Sequence, residues 1–206
     1  GNILETAKTA DEYLRNRKLL NRKSFHSDII SSMMATVYAK SQETEDHAKR
    51  LANLAKKIGE KLNLSLKDLG ELELLAMLHD IGKVGIYDPV LNKPGKLDAD
   101  EWAIMKKHPE IGYRIAKSSA ELEPIADYIL SHHERWDGKG YPRGLKGEDI
   151  PLLARILAVA DAYDAMTEDR VYRKAMSLKE TIEELRKNAG TQFDPYIVQV
   201  FIETIL

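Results

Sequence analysis

The sequence predicts an all-α protein, and three observations predict it. Apolar residues recur at three- and four-residue spacing along most of the 206-residue chain, no segment alternates as a half-buried strand would, and the breaks fall at proline, glycine and aspartate. With 43% apolar residues the chain can bury one sizeable core. A formal net charge of -2 gives no general affinity for nucleic acid or anionic membrane, and it leaves room for a local basic pocket that takes a small anion. Cysteine is absent, which excludes disulfides, thiolate metal sites and cysteine nucleophiles and fits a cytoplasmic setting. No apolar run is long enough to span a bilayer, and the first residues lack a secretory signal pattern, so no membrane insertion is expected.

Residues 1–22 read as a charged connector helix, with basic residues from Lys8 to Arg22, and residues 23–206 as the domain it leads into. From Phe25 to Tyr38, Ile29, Ile30, Met33, Met34 and Val37 form an apolar stripe that either pairs with a second copy in a homodimer or packs on its own domain. Leu51, Leu54, Ala55, Ile58 and Leu62 face one way and Lys49, Lys56, Lys57 and Lys61 the other, an amphipathic helix. Leu69, Leu72, Leu75, Ala76 and Leu78 repeat the pattern and run into His79-Asp80. Asp88-Pro89 and Pro94-Gly95 mark a loop, and Asp98 with Glu101 reads as a capping box for the next helix. His108 is expected to end that helix, because Pro109 restricts the residue before it. Ile125 to Leu130 is helical up to His132-His133. Gly138, Gly140, Gly144 and Gly147 make the next stretch a loop. Pro151 opens a helix through Leu153, Ile156, Leu157 and Ala160, and two more begin near Leu178 and at Asp194-Pro195.

Five of the six histidines fall in acidic and polar motifs. Imidazole and carboxylate together suit divalent metals, so the chain reads as a candidate metallohydrolase. Glu43 and His47, four apart, share a helix face and can take one metal, or they belong to a solvated face. His79-Asp80 closes an apolar run and needs a partner, either a metal or an ion pair. His132-His133 precede Glu134; as neighbours their imidazoles are expected to diverge and serve two metals, or a metal and an outer contact, unless the segment is a surface turn. His108 and Asp161 gain weight only from this company. His26 lies outside every motif and reads as an ordinary surface histidine.

Taken in order, the strings ETEDH, HDIGK, KHPEIGY, HHERWDGKGYPRGL and ILAVADAYDAMTEDRVYRKA resemble the HD-GYP family, the cyclic di-GMP phosphodiesterase branch of the HD metal-dependent phosphohydrolases, from about residue 40 to the C-terminus. That resemblance implies a helical HD-type bundle with a metal cluster between helices. It also implies ligand roles for His47, His79, Asp80, His108, His132, His133 and Asp161, with Asp80 bridging two ions. Glu43 matches an extra carboxylate that helps some members hold a third, so two or three divalent ions are expected, iron or manganese by family. Lys83 matches a lysine near the phosphate, Tyr141 of the Gly140-Tyr141-Pro142 signature a nucleotide contact, and Arg170 and Arg173 phosphate-binding positions suited to guanidinium forks. Separately, TADEYLRNRKLLNRK loosely resembles the final helix of diguanylate cyclase (GGDEF) domains, which implies a parent signalling protein with an upstream sensor or GGDEF domain; the alternative reading is a simple N-terminal helix of a complete protein.

The expected activity is hydrolysis of cyclic di-GMP to linear pGpG, GMP or both, with Asp80 and Lys83 as catalytic residues. Clustered divalent ions neutralise an anionic phosphodiester and activate water, so no protein nucleophile is required. Alternatives are a hybrid substrate such as cyclic GMP-AMP, a more distant nucleotide phosphohydrolase, which would not predict the GYP stretch, and a non-catalytic cyclic-dinucleotide receptor, which lost ligands would signal. No ligand position is lost.

Overall fold

The computed structural model describes residues 30–40, 44–169 and 174–206, and its helices lie where apolar spacing and capping chemistry put them. Residues 30–40 are helical throughout (α1). Thr44 caps α2 (Glu45–Lys61) by accepting a hydrogen bond from the His47 backbone N–H, and Glu45 and Asp46 complement the helix dipole in the first turn. The face of α2 carrying Ala48, Leu51, Ala52, Ala55 and Ile58 is buried. Ser65 caps α3 (Leu66–Leu78), which buries Leu72, Leu75, Ala76 and Leu78 and delivers His79 at its C-terminal end.

The next segment is not the plain loop its prolines suggest. A 3-10 turn covers Ile81–Gly85, and a one-turn helix, α4 (Asp88–Leu91), carries Pro89 in its first turn, where the missing N–H costs no hydrogen bond. Buried Ile81, Ile86 and Val90 anchor both. The Asp98–Glu101 capping box starts α5 (Ala99–Met105) as expected, but the helix stops at Met105. His108 instead opens α6 (His108–Lys117), again with proline in the first turn. A restricted residue before proline and a proline-led helix give the same local sequence, and packing selects the second.

After α7 (Ala126–Ser131) the glycine-rich stretch runs without helix up to a 3-10 turn at Gly147–Asp149. Pro151 stands at the N-cap of α8 (Leu152–Thr167), a Ser177–Glu180 capping box starts α9 (Leu178–Asn188), and Asp194 caps α10 (Pro195–Ile205). Among the described residues the only β-type pairing is an isolated bridge between Ala189 and Phe193.

The core lies where α2, α3, α8 and α10 pack on one another, filled by Leu51, Ile58, Leu72, Leu75, Leu78, Ile156, Leu157 and Phe201. Each such side chain contributes about 1.5–3 kcal/mol through burial. Val37 of α1 is buried in the same core, with Ile30, Met33 and Met34 packed against it, so this part of the N-terminal stripe packs on its own domain. Ile29 and the expected connector helix, residues 1–22, lie outside the described residues. Among the described residues no helix is long and apolar enough to cross a membrane.

One close approach sets the site's geometry. The 3-10 turn lies directly against α6, and a Cβ on Gly82 would stand 1.9 Å from the His108 carbonyl oxygen and 2.5 Å from the Gly112 nitrogen. Only glycine lets the segment carrying Asp80 and Lys83 meet the helix carrying His108 this closely.

Candidate metal centre

Three helix termini aim their histidines by the same local device. His79 Nδ1 donates to the Ala76 carbonyl (3.0 Å), His108 Nδ1 to the Met105 carbonyl (2.8 Å) and His132 Nδ1 to the Ile129 carbonyl (2.6 Å). A carbonyl only accepts, so each Nδ1 carries hydrogen and, in the neutral ring, each Nε2 presents a lone pair. These lone pairs converge. His108 Nε2 lies 3.2 Å from His132 Nε2 and 3.1 Å from His133 Nε2, and between neutral His108 and His132 no hydrogen bond can form. Asp80 Oδ1 is 3.1 Å from His108 Nε2 and 3.8 Å from His132 Nε2, and this buried oxygen accepts no hydrogen bond among the described residues.

Asp80, His108, His132 and His133 offer donor atoms within 4.8 Å of one another, and His47, His79 and Asp161 form a second such group. Asp80 links the two, its Oδ2 lying 3.3 Å from His79 Nε2 and 2.7 Å from Lys83 Nζ. An orphaned buried carboxylate oxygen facing opposed imidazole lone pairs fits a divalent cation and fits nothing apolar.

The electrostatics agree. Burial, reinforced by the neighbouring imidazoles, pushes His132 well below the ordinary histidine range and His133 down to about 3, so both are neutral ligands at pH 7. Burial alone would raise Asp80, but the neighbouring positive charge, that of Lys83 at 2.7 Å foremost, outweighs it and holds the carboxyl well below its usual value. The expected divergence of His132 and His133 is not observed. Their ring centroids are 4.0 Å apart and both belong to one donor group, because α7 has already ended and the following turn carries both rings to the same side.

His47, in the first turn of α2, is aimed differently. Its Nδ1 meets Asp164 Oδ2 at 2.7 Å, and its Nε2 lies 3.7 Å from Asp161 Oδ1. Arg50 grips the same Asp164 with Nε on Oδ1 (2.7 Å) and Nη2 on Oδ2 (3.1 Å).

The glycine-rich loop forms a wall beside the cluster. Tyr141 stacks on His133 with centroids 4.8 Å apart, Trp102 of α5 meets Tyr141 edge-on at 6.4 Å, and Lys106 Nζ stands 6.0 Å from the Tyr141 centroid. Buried Glu134 folds the loop back by accepting the N–H groups of Arg143 (2.7 Å) and Leu145 (2.9 Å). Gly140 is required there, since a Cβ would come within 2.4–2.6 Å of the backbone of Arg135, Glu134 and His133. Burial, with the nearby Asp80 charge, raises Tyr141 above its ordinary value and keeps the phenol protonated.

Of the residues singled out from sequence, His47, His79, Asp80, Lys83, His108, His132, His133, Tyr141 and Asp161 lie together, while Glu43, Arg170, Arg173 and His26 are outside the described residues. Asp164, Arg50, Glu134, Trp102 and Lys106 were not singled out. The available signal was spacing: Asp164 follows Asp161, and Arg50 follows His47, by one helical turn.

A helical bundle that gathers five histidines and one aspartate at or beside its helix ends, and a second aspartate from within α8, defines an all-α class built around a His/Asp metal cluster. Residues 25–197 match the HD domain family, and the chain belongs to it, its HHE-to-GYP stretch marking the HD-GYP branch. It is 38% identical over 198 residues to a protein of Thermotoga maritima named a cyclic di-GMP phosphodiesterase, covering 95% of this chain and 52% of that protein. It is 37% identical over 187 residues to a 3'3'-cGAMP-specific phosphodiesterase of Vibrio cholerae, covering 90% of this chain and 36% of that protein. The chain thus spans about half the length of the first relative and about a third of the second. In fold it resembles a cyclic GMP-AMP specific phosphodiesterase of V. cholerae, with TM-score 0.67 and 23% identity over 87% of this chain and 48% of that one.

Proposed function

We propose that this chain is a metal-dependent phosphodiesterase that hydrolyses cyclic di-GMP in the cytoplasm to linear pGpG, GMP or both. The observation that carries the reading is the pair of donor groups joined through Asp80. Asp80, His108, His132 and His133 would hold one ion and His47, His79 and Asp161 another, with Asp80 shared and Glu43 offering a ligand for a third. A set made only of imidazole and carboxylate suits iron, manganese, zinc or nickel, and the family resemblance favours iron or manganese. Bound there, the ions supply Lewis-acid stabilisation of the phosphate and activation of water.

The chain's own residues take the remaining tasks. Lys83, held by Asp80, puts a positive charge beside the position of the transferring phosphate, and Arg170 and Arg173 bind its oxygens. Tyr141, protonated and stacked on His133, offers a contact for the nucleotide beside the donor cluster. Each hydrolysis adds one water across one P–O3' bond: the water oxygen joins phosphorus, and the ribose O3' leaves with a proton. The first opens the ring to pGpG and the second gives two GMP.

A second substrate, cyclic GMP-AMP, is favoured by the similarity to the V. cholerae enzyme named for it. The match to the family from residue 25 supports residues 23–206 as the catalytic domain, and the greater length of the relatives supports a parent protein in which residues 1–22 connect to an upstream sensor or GGDEF domain.

Anaerobic turnover of both dinucleotides with iron(II) or manganese(II), products resolved by chromatography, tests the proposal. Metal-dependent pGpG or GMP that disappears in Asp80→Ala is the expected result. No product from metal-loaded protein with cyclic di-GMP would sink the reading, and product from cyclic GMP-AMP alone would move it to the second substrate.

A further inference from the structure

We propose that Asp164 is a positioning residue that aims His47 and sets the strength of one metal position only, the one formed by His47, His79 and Asp161. The inference rests on the metal-centre reading above and goes beyond it by separating the two positions. Its ground is a difference in how the ligands are held. His79, His108 and His132 each donate Nδ1–H to a carbonyl three residues earlier, so their orientation is a local property of the helix end that carries them. His47 instead donates Nδ1–H to a carboxylate 117 residues away, at 2.7 Å.

Three consequences follow from that contact. A carboxylate accepts only, so it fixes the tautomer that turns the His47 Nε2 lone pair toward Asp161, 3.7 Å away. A negatively charged acceptor makes the imidazole a more basic ligand than a neutral carbonyl does, and loss of such an outer partner typically weakens metal binding about 10–100-fold. Asp164 also lies one turn beyond Asp161 on α8, so a single helix supplies one ligand and aims another. The carboxylate is itself held rigid. Its side chain is 4% exposed and is clamped by the Arg50 guanidinium at 2.7 and 3.1 Å, while Arg50 is 39% exposed and anchored on α2. His108, His132 and His133 take no part in this chain of contacts, and Asp80 meets it only through His79, 3.3 Å away, so their position keeps all of its own ligands.

The test is a manganese(II) titration of chelator-treated protein, with free ion counted by electron paramagnetic resonance, for wild type, Asp164→Asn, His47→Ala and Arg50→Gln. Thermal melts of the metal-free variants check folding. The expected result is that Asp164→Asn weakens one ion about 10–100-fold, leaves another unchanged, and affects the same ion that His47→Ala removes, while Arg50→Gln, which loosens the carboxylate without removing it, weakens that ion less and leaves the other unchanged. Unchanged binding in Asp164→Asn overturns the proposal, and so does an equal loss in Arg50→Gln, which would reduce Asp164 to one half of a salt bridge. Should Asp164→Asn fail to fold, Asp164→Glu carries the same comparison: a shift confined to one ion supports the proposal and equal shifts in both overturn it. Wild-type protein that binds no manganese would be a different failure, that of the metal reading itself.

Discussion

At the scale of single residues, protonation and close contact decide what the cluster can do. His132 and His133 are useful as ligands because burial keeps them neutral, and the same burial makes metal-free protein sensitive to acid. For His133 the value falls from 6.5 in the unfolded chain to about 3 in the folded one. Between these values the unfolded chain holds a proton that the native chain does not, so stability is complete above pH 6.5 and declines as pH falls, by about 1.4 kcal/mol per pH unit for each such histidine. Asp80 has the opposite displacement relative to its charge and loses its contribution only at still lower pH, as its depressed folded value is crossed. Urea denaturation of metal-free protein at a series of pH values should show the decline beginning near pH 6.5, and a flat profile down to pH 4 would contradict it. Gly82 is the second sensitive residue. Its Cβ would overlap backbone, which cannot rotate away as a side chain could, so Gly82→Ala should cost about 3 kcal/mol and lower the urea midpoint. A midpoint within error of wild type would show that α6 can shift at no cost.

At the scale of elements, the glycine-rich loop depends on one buried carboxylate. Glu134 accepts two backbone N–H groups, and Glu134→Gln supplies one acceptor oxygen and an amide that cannot accept, leaving one of those donors unmatched at a cost of about 1–3 kcal/mol. That cost is local, so the expected effect is faster hydrogen exchange at residues 141–145 and a raised KM, with the global melting point nearly unchanged. Unaltered exchange there would show that the loop is held by other contacts. The elements also show what could be read from sequence. The apolar faces of α2, α3 and α8, the caps at Asp98 and Asp194 and a helix start near Leu178 are legible in the sequence, because periodicity and capping are local, whereas the Ser177 cap of that last helix is a finding of the structure. The 3-10 turn and α4 are too short to show a period. His108 opens α6 and does not end α5, a distinction the sequence does not carry because proline gives the same signal at the end of one helix as at the start of another. In the cluster, the ligand candidates were legible as motifs, whereas the Asp164–His47 contact joins residues 117 apart and exists only once α2 and α8 pack.

For the whole molecule, the donors are spread over α2, the end of α3, the turn after it, the start of α6, the end of α7 and α8, so the cluster samples nearly every element around the core. An ion held by such a set binds the folded chain and has no preformed site in the unfolded one, and its binding free energy becomes folding free energy. At a free ion concentration one hundred times the dissociation constant, each ion adds about 2.7 kcal/mol. For a domain of this size that raises the melting temperature by roughly 5–10 °C per ion. Manganese(II) added to chelator-treated protein should therefore raise the midpoint in steps set by the number of ions bound. Because the two donor groups meet at Asp80, Asp80→Ala should abolish most of the rise, while His47→Ala, which leaves the Asp80, His108, His132 and His133 group complete, should keep roughly half. Equal losses in the two variants would show that the groups fill as one unit, and no rise in wild type would show that these donors hold no ion.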